Sequence, residues 1–239
     1  MKTYYHGSQT HGLKSLKPNP HATHGNYTYA TPSKTVATIF CKKCGDDQVY
    51  SLFGDGEGHY TMVERIPGAF EYMFDNSASI YQVPAEYFVD KKTGFKEVLS
   101  DKEVPVVKET WIENIRDAID DLARKGEITL YHYPDRPESI PQDDSDLVIK
   151  EQKHAILREK ALDKGLFARC AFLHPHLIPL INEIIVKNGY NPFSPADVKY
   201  LVDYYTERSK NEPDHEFYID AAVKQIKEIY PEIFEEKKR

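Results

Sequence analysis

The sequence predicts an α+β fold, a β-rich domain over residues 1–140 followed by a small all-α domain over residues 150–239. Three observations carry this. Between 45 and 110, short runs of β-branched and aromatic residues alternate with turn formers such as Gly54-Asp55-Gly56 and Lys92-Thr93-Gly94. At 141–146 the run Pro-Gln-Asp-Asp-Ser-Asp is polar and turn-forming, the composition of a linker. Beyond it, apolar residues recur at helical spacing almost without interruption.

Taken in order, residues 2–6 read as a strand, and 13–18 as an extended piece stopped by Pro18. Residues 26–31 read as another strand. Pro32 then sits where a helical turn begins, and 33–40 carries apolar residues at Val36, Ala37, Ile39 and Phe40. Strands are expected at 49–53, 59–64, 79–83, 87–89 and 96–99. Residues 111–125 place Trp111, Ile112, Ile115, Ile119 and Leu122 on one helical stripe, with Gly126 as the stop. A strand at 128–133 closes the first domain. The helices of the second are expected at 150–168, 174–188, 195–210 and 215–229. Ser194-Pro195-Ala196-Asp197 is a start signal: a capping Ser, Pro at the first helical position and an acid in the first turn.

Composition removes several classes of function. A net charge of −7 is unsuited to a surface that neutralises many phosphates, though it leaves room for a local basic patch. No apolar run reaches the length of a membrane span, and no basic-then-apolar leader opens the sequence, so a cytoplasmic protein without a membrane partner is expected. Three cysteines (Cys41, Cys44 and Cys170) make no disulfide framework. Cys41-Lys42-Lys43-Cys44 has the spacing of half a zinc site, but no second such pair exists, and the expectation is two reduced thiols at a helix end. His174-Pro175-His176 reads as a helix start, so no metal is expected.

The residues that invite a chemical reading are His6-Gly7 in the first strand, Tyr29-Ala30-Thr31 at a strand-to-helix corner, and a lone Glu97 on a later strand. Glycine weakens a strand unless something must come close to its backbone. A tyrosine ring offers a face to a flat heterocycle. A carboxylate opposite can hold a sugar hydroxyl and stabilise positive charge growing at an anomeric carbon.

In this order the residues resemble the ADP-ribosyltransferases of the diphtheria-toxin and poly(ADP-ribose) polymerase branch: His-Gly on an early strand, a Tyr-bearing corner within residues 25–37, then a Glu. The chain is also similar to small bacterial proteins that begin Tyr-His-Gly-Ser and later carry Glu-hydrophobic-x-Ser before a Val-Pro segment, here Glu97-Val98-Leu99-Ser100 and Val104-Pro105-Val106. The resemblance covers roughly residues 3–110. It implies a mixed or antiparallel split β-sheet core with flanking helices, and NAD as substrate. It also implies roles: Gly7 holding the carboxamide through its backbone, His6 on a ribose hydroxyl, Tyr29 stacked on nicotinamide, Thr35 supporting the carboxamide and Glu97 as the catalytic carboxylate, with Ala30 also among the cofactor-binding residues. Glu103 is the competing carboxylate, six residues on. The polymerase pattern has a second stacking tyrosine on the following helix. That position is Thr38 here, so the second wall comes from elsewhere, with Phe40 and Tyr60 as candidates, or is absent.

The function implied is transfer of ADP-ribose from NAD to an acceptor of unidentified class: protein, nucleic acid or small molecule. The alternatives are a NAD glycohydrolase, with water as acceptor, and a non-catalytic nucleotide- or partner-binding module on the same fold. A phosphotransferase acting on RNA 2′-phosphate would need several cleft arginines, and only Arg65 occurs in the first hundred residues.

Overall fold

The architecture starts from short extended segments that cannot bury themselves alone. In a computed structural model, described for residues 2–20, 25–43, 45–90, 96–210 and 216–235, the strands are β1 (Thr3–Ser8), β2 (Ser15–Leu16), β3 (Thr28–Ala30), β4 (Tyr50–Gly54), β5 (Tyr60–Glu64), β6 (Ala78–Pro84), β7 (Val89–Asp90), β8 (Val98–Ser100), β9 (Val104–Pro105), β10 (Lys108–Ile112) and β11 (Ile128–Tyr131). The helices are α1 (Lys34–Ile39), α2 (Ala69–Met73), α3 (Ile115–Arg124), α4 (Ser145–Leu157), α5 (Lys164–Leu173), α6 (Ile178–Lys187), α7 (Pro195–Ser209) and α8 (Glu216–Ile229). The protein is therefore mixed α+β, with several small antiparallel sheets. Among the described residues no helix is long and apolar enough to cross a membrane.

The chain divides into two compact units. The first comprises residues 1–45, 52–62 and 70–130; the second comprises 46–51, 63–69 and 131–239. The second thus takes in three segments that the sequence reading assigned to the β-rich domain, 46–51, 63–69 and 131–140.

In the first unit β6 is the central strand, with β1 and β10 antiparallel on its two sides. Every residue of β6 except Gln82 is buried, which is the cost and the use of a strand covered on both faces. A second antiparallel sheet runs β3-β8-β7, and the two-residue strands β2 and β9 pair with each other. Leu16, Ala30, Tyr81, Val83, Val98 and Val104 form one core cluster, with Tyr4, Leu13, Phe88 and Val106 packed against it. Full burial of a side chain such as Leu16, Val83 or Val104 contributes about 1.5–3 kcal/mol. The turn expected at 92–94 lies outside the described residues.

Several sequence expectations are corrected here. The helix expected from Trp111 starts later: Lys108–Ile112 is strand β10, hydrogen-bonded to β6, and Trp111 is 65% exposed. Asn114 then caps α3, accepting from the N–H groups of Arg116 and Asp117. In the second unit, the helix expected over 150–168 is two helices. α4 ends at Leu157, Glu159 follows with a left-handed φ of 52°, and Asp163 caps α5 by accepting from Leu166 N–H at 3.1 Å. At α7 the side chain of Ser194 accepts from Asp197 N–H, while the Asp197 carboxylate accepts from Ser194 N–H, a reciprocal cap of the kind its sequence signals.

Candidate functional site: a cleft where two sheets part

Strands β1 and β3 meet at one residue pair. Tyr5 N–H donates to Thr31 O, and Thr31 N–H to Tyr5 O, both at 2.8 Å. From there the strands belong to different sheets, β1 to β6 and β10, β3 to β8 and β7. A cleft of about 350 Å³ lies at this parting, and His6, Gly7, Tyr29, Ala30, Phe40 and Glu97 are among its lining residues.

Register explains why Glu97 arrives there. Thr28, Tyr29 and Ala30 face Ser100, Leu99 and Val98, so one further step along β8 sets Glu97 across from Thr31, the residue at the parting. Directly opposed residues of an antiparallel pair share a face, and alternate residues share it too. Tyr29 and Glu97 therefore stand on one face of this sheet, while Ala30 and Val98 face the core cluster. The competing carboxylate, Glu103, instead accepts a hydrogen bond from the Ser15 hydroxyl beside the β2–β9 pair.

His6 is half-buried and its Nδ1 lies 2.7 Å from Tyr29 O. A carbonyl oxygen only accepts, so Nδ1 carries the proton and donates. Burial pulls the imidazole pKa below its ordinary value, against a smaller opposing effect of this hydrogen bond. The neutral ring then keeps a lone pair on Nε2, an acceptor for a hydroxyl.

Gly7 has a packing reason beside any ligand-binding one. A Cβ built there would sit 2.0 Å from Ala37 O and 2.8 Å from Cys41 Sγ. Only glycine lets α1 lie this close to β1, which in turn brings the helix residues Val36 and Ala37 and the following Phe40 to the cleft. Thr35 is not among the lining residues. Its hydroxyl donates to the Glu127 carboxylate, on the side of α1 away from the role the resemblance implies.

Of the two aromatic candidates, one lines the cleft. Phe40, at the C-cap of α1, lines the cleft, and Lys42 Nζ sits 4.2 Å over its ring. Tyr60 is buried in β5 and does not line it. Thr38 donates its hydroxyl to Lys34 O within α1. Sequence reasoning could name Phe40 but not rank it, since the choice depends on how one helical turn is rotated.

Other reactive types have different surroundings. Burial pushes the Cys41 thiol up to about 12, so it is not a thiolate at neutral pH, and Cys44 lies outside the described residues. In the second unit Asp144, His174 and His176 offer ligand atoms within 4.8 Å of one another. Yet Asp144 accepts from Arg65 Nη1 at 2.8 Å and from Arg136 Nε and Nη2 at 3.0 and 3.1 Å. A dication would have to enter beside two guanidinium groups, and the geometry opposes it.

Comparison with known proteins gave no match: no family model, no curated protein and no solved structure.

Proposed function

We propose that this chain is an ADP-ribosyltransferase-like enzyme that binds NAD in the Glu97 cleft and breaks its nicotinamide–ribose bond. The observation that carries the reading is convergence. His6 and Gly7, Tyr29 and Ala30, and Glu97 come from three separate segments and line one cleft at the parting of two sheets. The cleft's volume lies at the lower end of the range for small-molecule pockets, about 300–1,000 Å³, and suits the nicotinamide–ribose half of the dinucleotide.

Tyr29 and Phe40 offer ring faces to the nicotinamide, and the Gly7 backbone offers polar groups to its carboxamide. His6 Nε2 accepts a ribose hydroxyl. As the C1′–N bond breaks, its electron pair passes to the ring nitrogen and positive charge grows on the ribose. The Glu97 carboxylate accepts from the ribose 2′-hydroxyl and stabilises that charge. The acceptor then bonds to C1′ and loses its proton. With water in that place the same site is a NAD glycohydrolase.

Chromatographic detection of nicotinamide after incubation with NAD tests the reading. Wild type is expected to release nicotinamide and Glu97→Gln to fall by about 10²–10³-fold with an unchanged melting temperature. Release persisting in Glu97→Gln removes Glu97 from the chemistry. Wild type that binds NAD without releasing nicotinamide supports the second reading, a binding module, which the replacement of the second stacking tyrosine by Thr38 favours.

A further inference from the structure

The pairing of β10 with β6 sets Glu109 across from Tyr81 and Trp111 across from Ser79, so these four residues share a face of the sheet. Residues 9–13, which follow β1, lie over that face. The Tyr81 hydroxyl donates to Thr10 O at 2.7 Å, and Gly12 N–H donates to Glu109 Oε1 at 2.9 Å. Gly12 has a φ of 73°, a turn that glycine makes without steric cost. Between these two anchors His11 reaches two serines, with Nδ1 2.8 Å from Ser79 Oγ and Nε2 3.0 Å from Ser77 Oγ.

The directions of these hydrogen bonds are fixed from one end. A carboxylate only accepts, so the Ser79 hydroxyl donates to Glu109 at 2.6 Å. The single Ser79 proton is thereby engaged, and its oxygen accepts from His11 Nδ1–H. The neutral imidazole then carries its lone pair on Nε2, and Ser77 O–H donates to it. Hydrogen bonds, first from Gly12 N–H and then from Ser79, hold the Glu109 carboxyl below its ordinary range, so it is ionised at neutral pH. The relay runs from buried Ser79 outwards to exposed His11 and half-buried Ser77. A hydroxyl, a base within hydrogen-bond reach and a third group orienting that base are the arrangement that activates a serine. Trp111, the one tryptophan of the chain, is 65% exposed and stands edge-on to His11, ring centroids 5.9 Å apart. Its ring offers an apolar face beside the base.

We propose that Ser77 is the nucleophile of a second site, one that cleaves esters bearing an aromatic or apolar group. His11 is its general base, Ser79 and Glu109 are positioning residues, and Trp111 seats the substrate. The Ser77 oxygen bonds to the acyl carbon as its proton passes to His11 Nε2. That proton leaves with the departing alcohol as the ester C–O bond breaks. Water, deprotonated in turn by His11, then releases the acid and restores the Ser77 hydroxyl. General-base assistance is worth about 10²–10⁴-fold, the enhancement expected over an unassisted serine. None of these residues lines the Glu97 cleft, and the site is independent of NAD cleavage.

Two measurements on the full chain test this: hydrolysis of p-nitrophenyl acetate, and labelling by an aryl fluorophosphonate with the modified residue located by peptide mass spectrometry. Wild type is expected to hydrolyse the ester and to be labelled at Ser77, and Ser77→Ala to lose both at an unchanged melting temperature. His11→Gln should lower kcat by about 10²–10⁴-fold. Glu109→Gln keeps an acceptor oxygen but not the charge, and should lower kcat with KM unchanged, a split that a merely structural loss would not give. Trp111→Ala should raise KM by about 2–10-fold and leave kcat alone. Ester hydrolysis that survives in Ser77→Ala overturns the proposal, as does a label that falls elsewhere or nowhere. Labelling of Ser77 at full rate in His11→Gln overturns it too. Nicotinamide release, read in parallel, is expected to be equal in Ser77→Ala and wild type.

Discussion

The Glu97 cleft and the polar cluster around Arg65 both gather charged and hydrogen-bonding side chains, to opposite ends. Arg65 is fully buried, yet Ser51, Asp144 and Asp146 accept from its guanidinium at 2.6–3.0 Å, and Arg136 takes up Asp144 from another direction. His174, also buried, is 2.7 Å from Gln48 O through Nε2. These groups face one another. His6, Tyr29, Phe40 and Glu97 line a cavity of about 350 Å³. Burial with mutual pairing marks a cluster that specifies structure, and polar groups around a cavity mark one that meets a ligand.

The comparison can be broken from either side. The largest effect is expected in the second unit. Arg65→Ala removes a buried guanidinium that Ser51, Asp144 and Asp146 share, leaving Arg136 as the remaining cation at Asp144, and should cost about 3–5 kcal/mol, read by urea denaturation. A loss below about 1 kcal/mol would show the cluster to be far more hydrated than its geometry implies. Next comes a pH dependence. Burial pulls the His174 pKa down to about 4 from near 6.5, against the weaker opposing effect of its hydrogen bond to Gln48 O. Between those values the unfolded chain binds the proton and the folded one does not. His174 therefore leaves stability intact above about pH 6.5 and removes up to about 3 kcal/mol as pH falls towards 4. Denaturation midpoints of wild type and His174→Phe measured across that range should diverge in slope; parallel curves would exclude His174 as the cause.

On the cleft side, Gly7→Ala forces a methyl group against the α1 backbone and should cost about 1–3 kcal/mol in thermal unfolding. A variant as stable as wild type would return Gly7 to a ligand-binding role alone. The smallest effect belongs to Phe40→Ala, which should weaken nicotinamide binding by about 0.5–1.5 kcal/mol while sparing the fold. Unchanged affinity would leave Tyr29 as the only stacking wall.

Much of this comparison was legible in the residues, for reasons that differ by region. The long helices follow from periodicity, and Ser194-Pro195-Ala196-Asp197 specifies its own cap. The cleft was legible as an order of residues, His6-Gly7 before Tyr29 before Glu97, because each sits on or beside a strand with a recognisable pattern. Two-residue strands such as β2 and β9 carry no periodic signal, and five-residue α2 little more. Trp111 and Ile112 fit a helical stripe, but β6 offers hydrogen bonds to an extended chain there, and tertiary pairing prevails over pattern. Thr35 was misplaced for a similar reason: only the packed helix shows that its hydroxyl meets Glu127, 92 positions away. The Arg65 cluster joins residues about 80 positions apart, a relation that no local pattern encodes.

The parting of β1 and β3 at Tyr5 and Thr31 is held by a reciprocal pair of main-chain hydrogen bonds. Both hydrogen bonds survive a change of the half-buried Tyr5 side chain, whereas the buried Thr31 also accepts from Ser33 N–H through its hydroxyl. A one-residue insertion in either strand would instead shift His6 or Tyr29 to the opposite face and dismantle the site in one event. Length between residues 3 and 8 and between 28 and 31 is therefore under tighter constraint than the identity of the Tyr5 side chain.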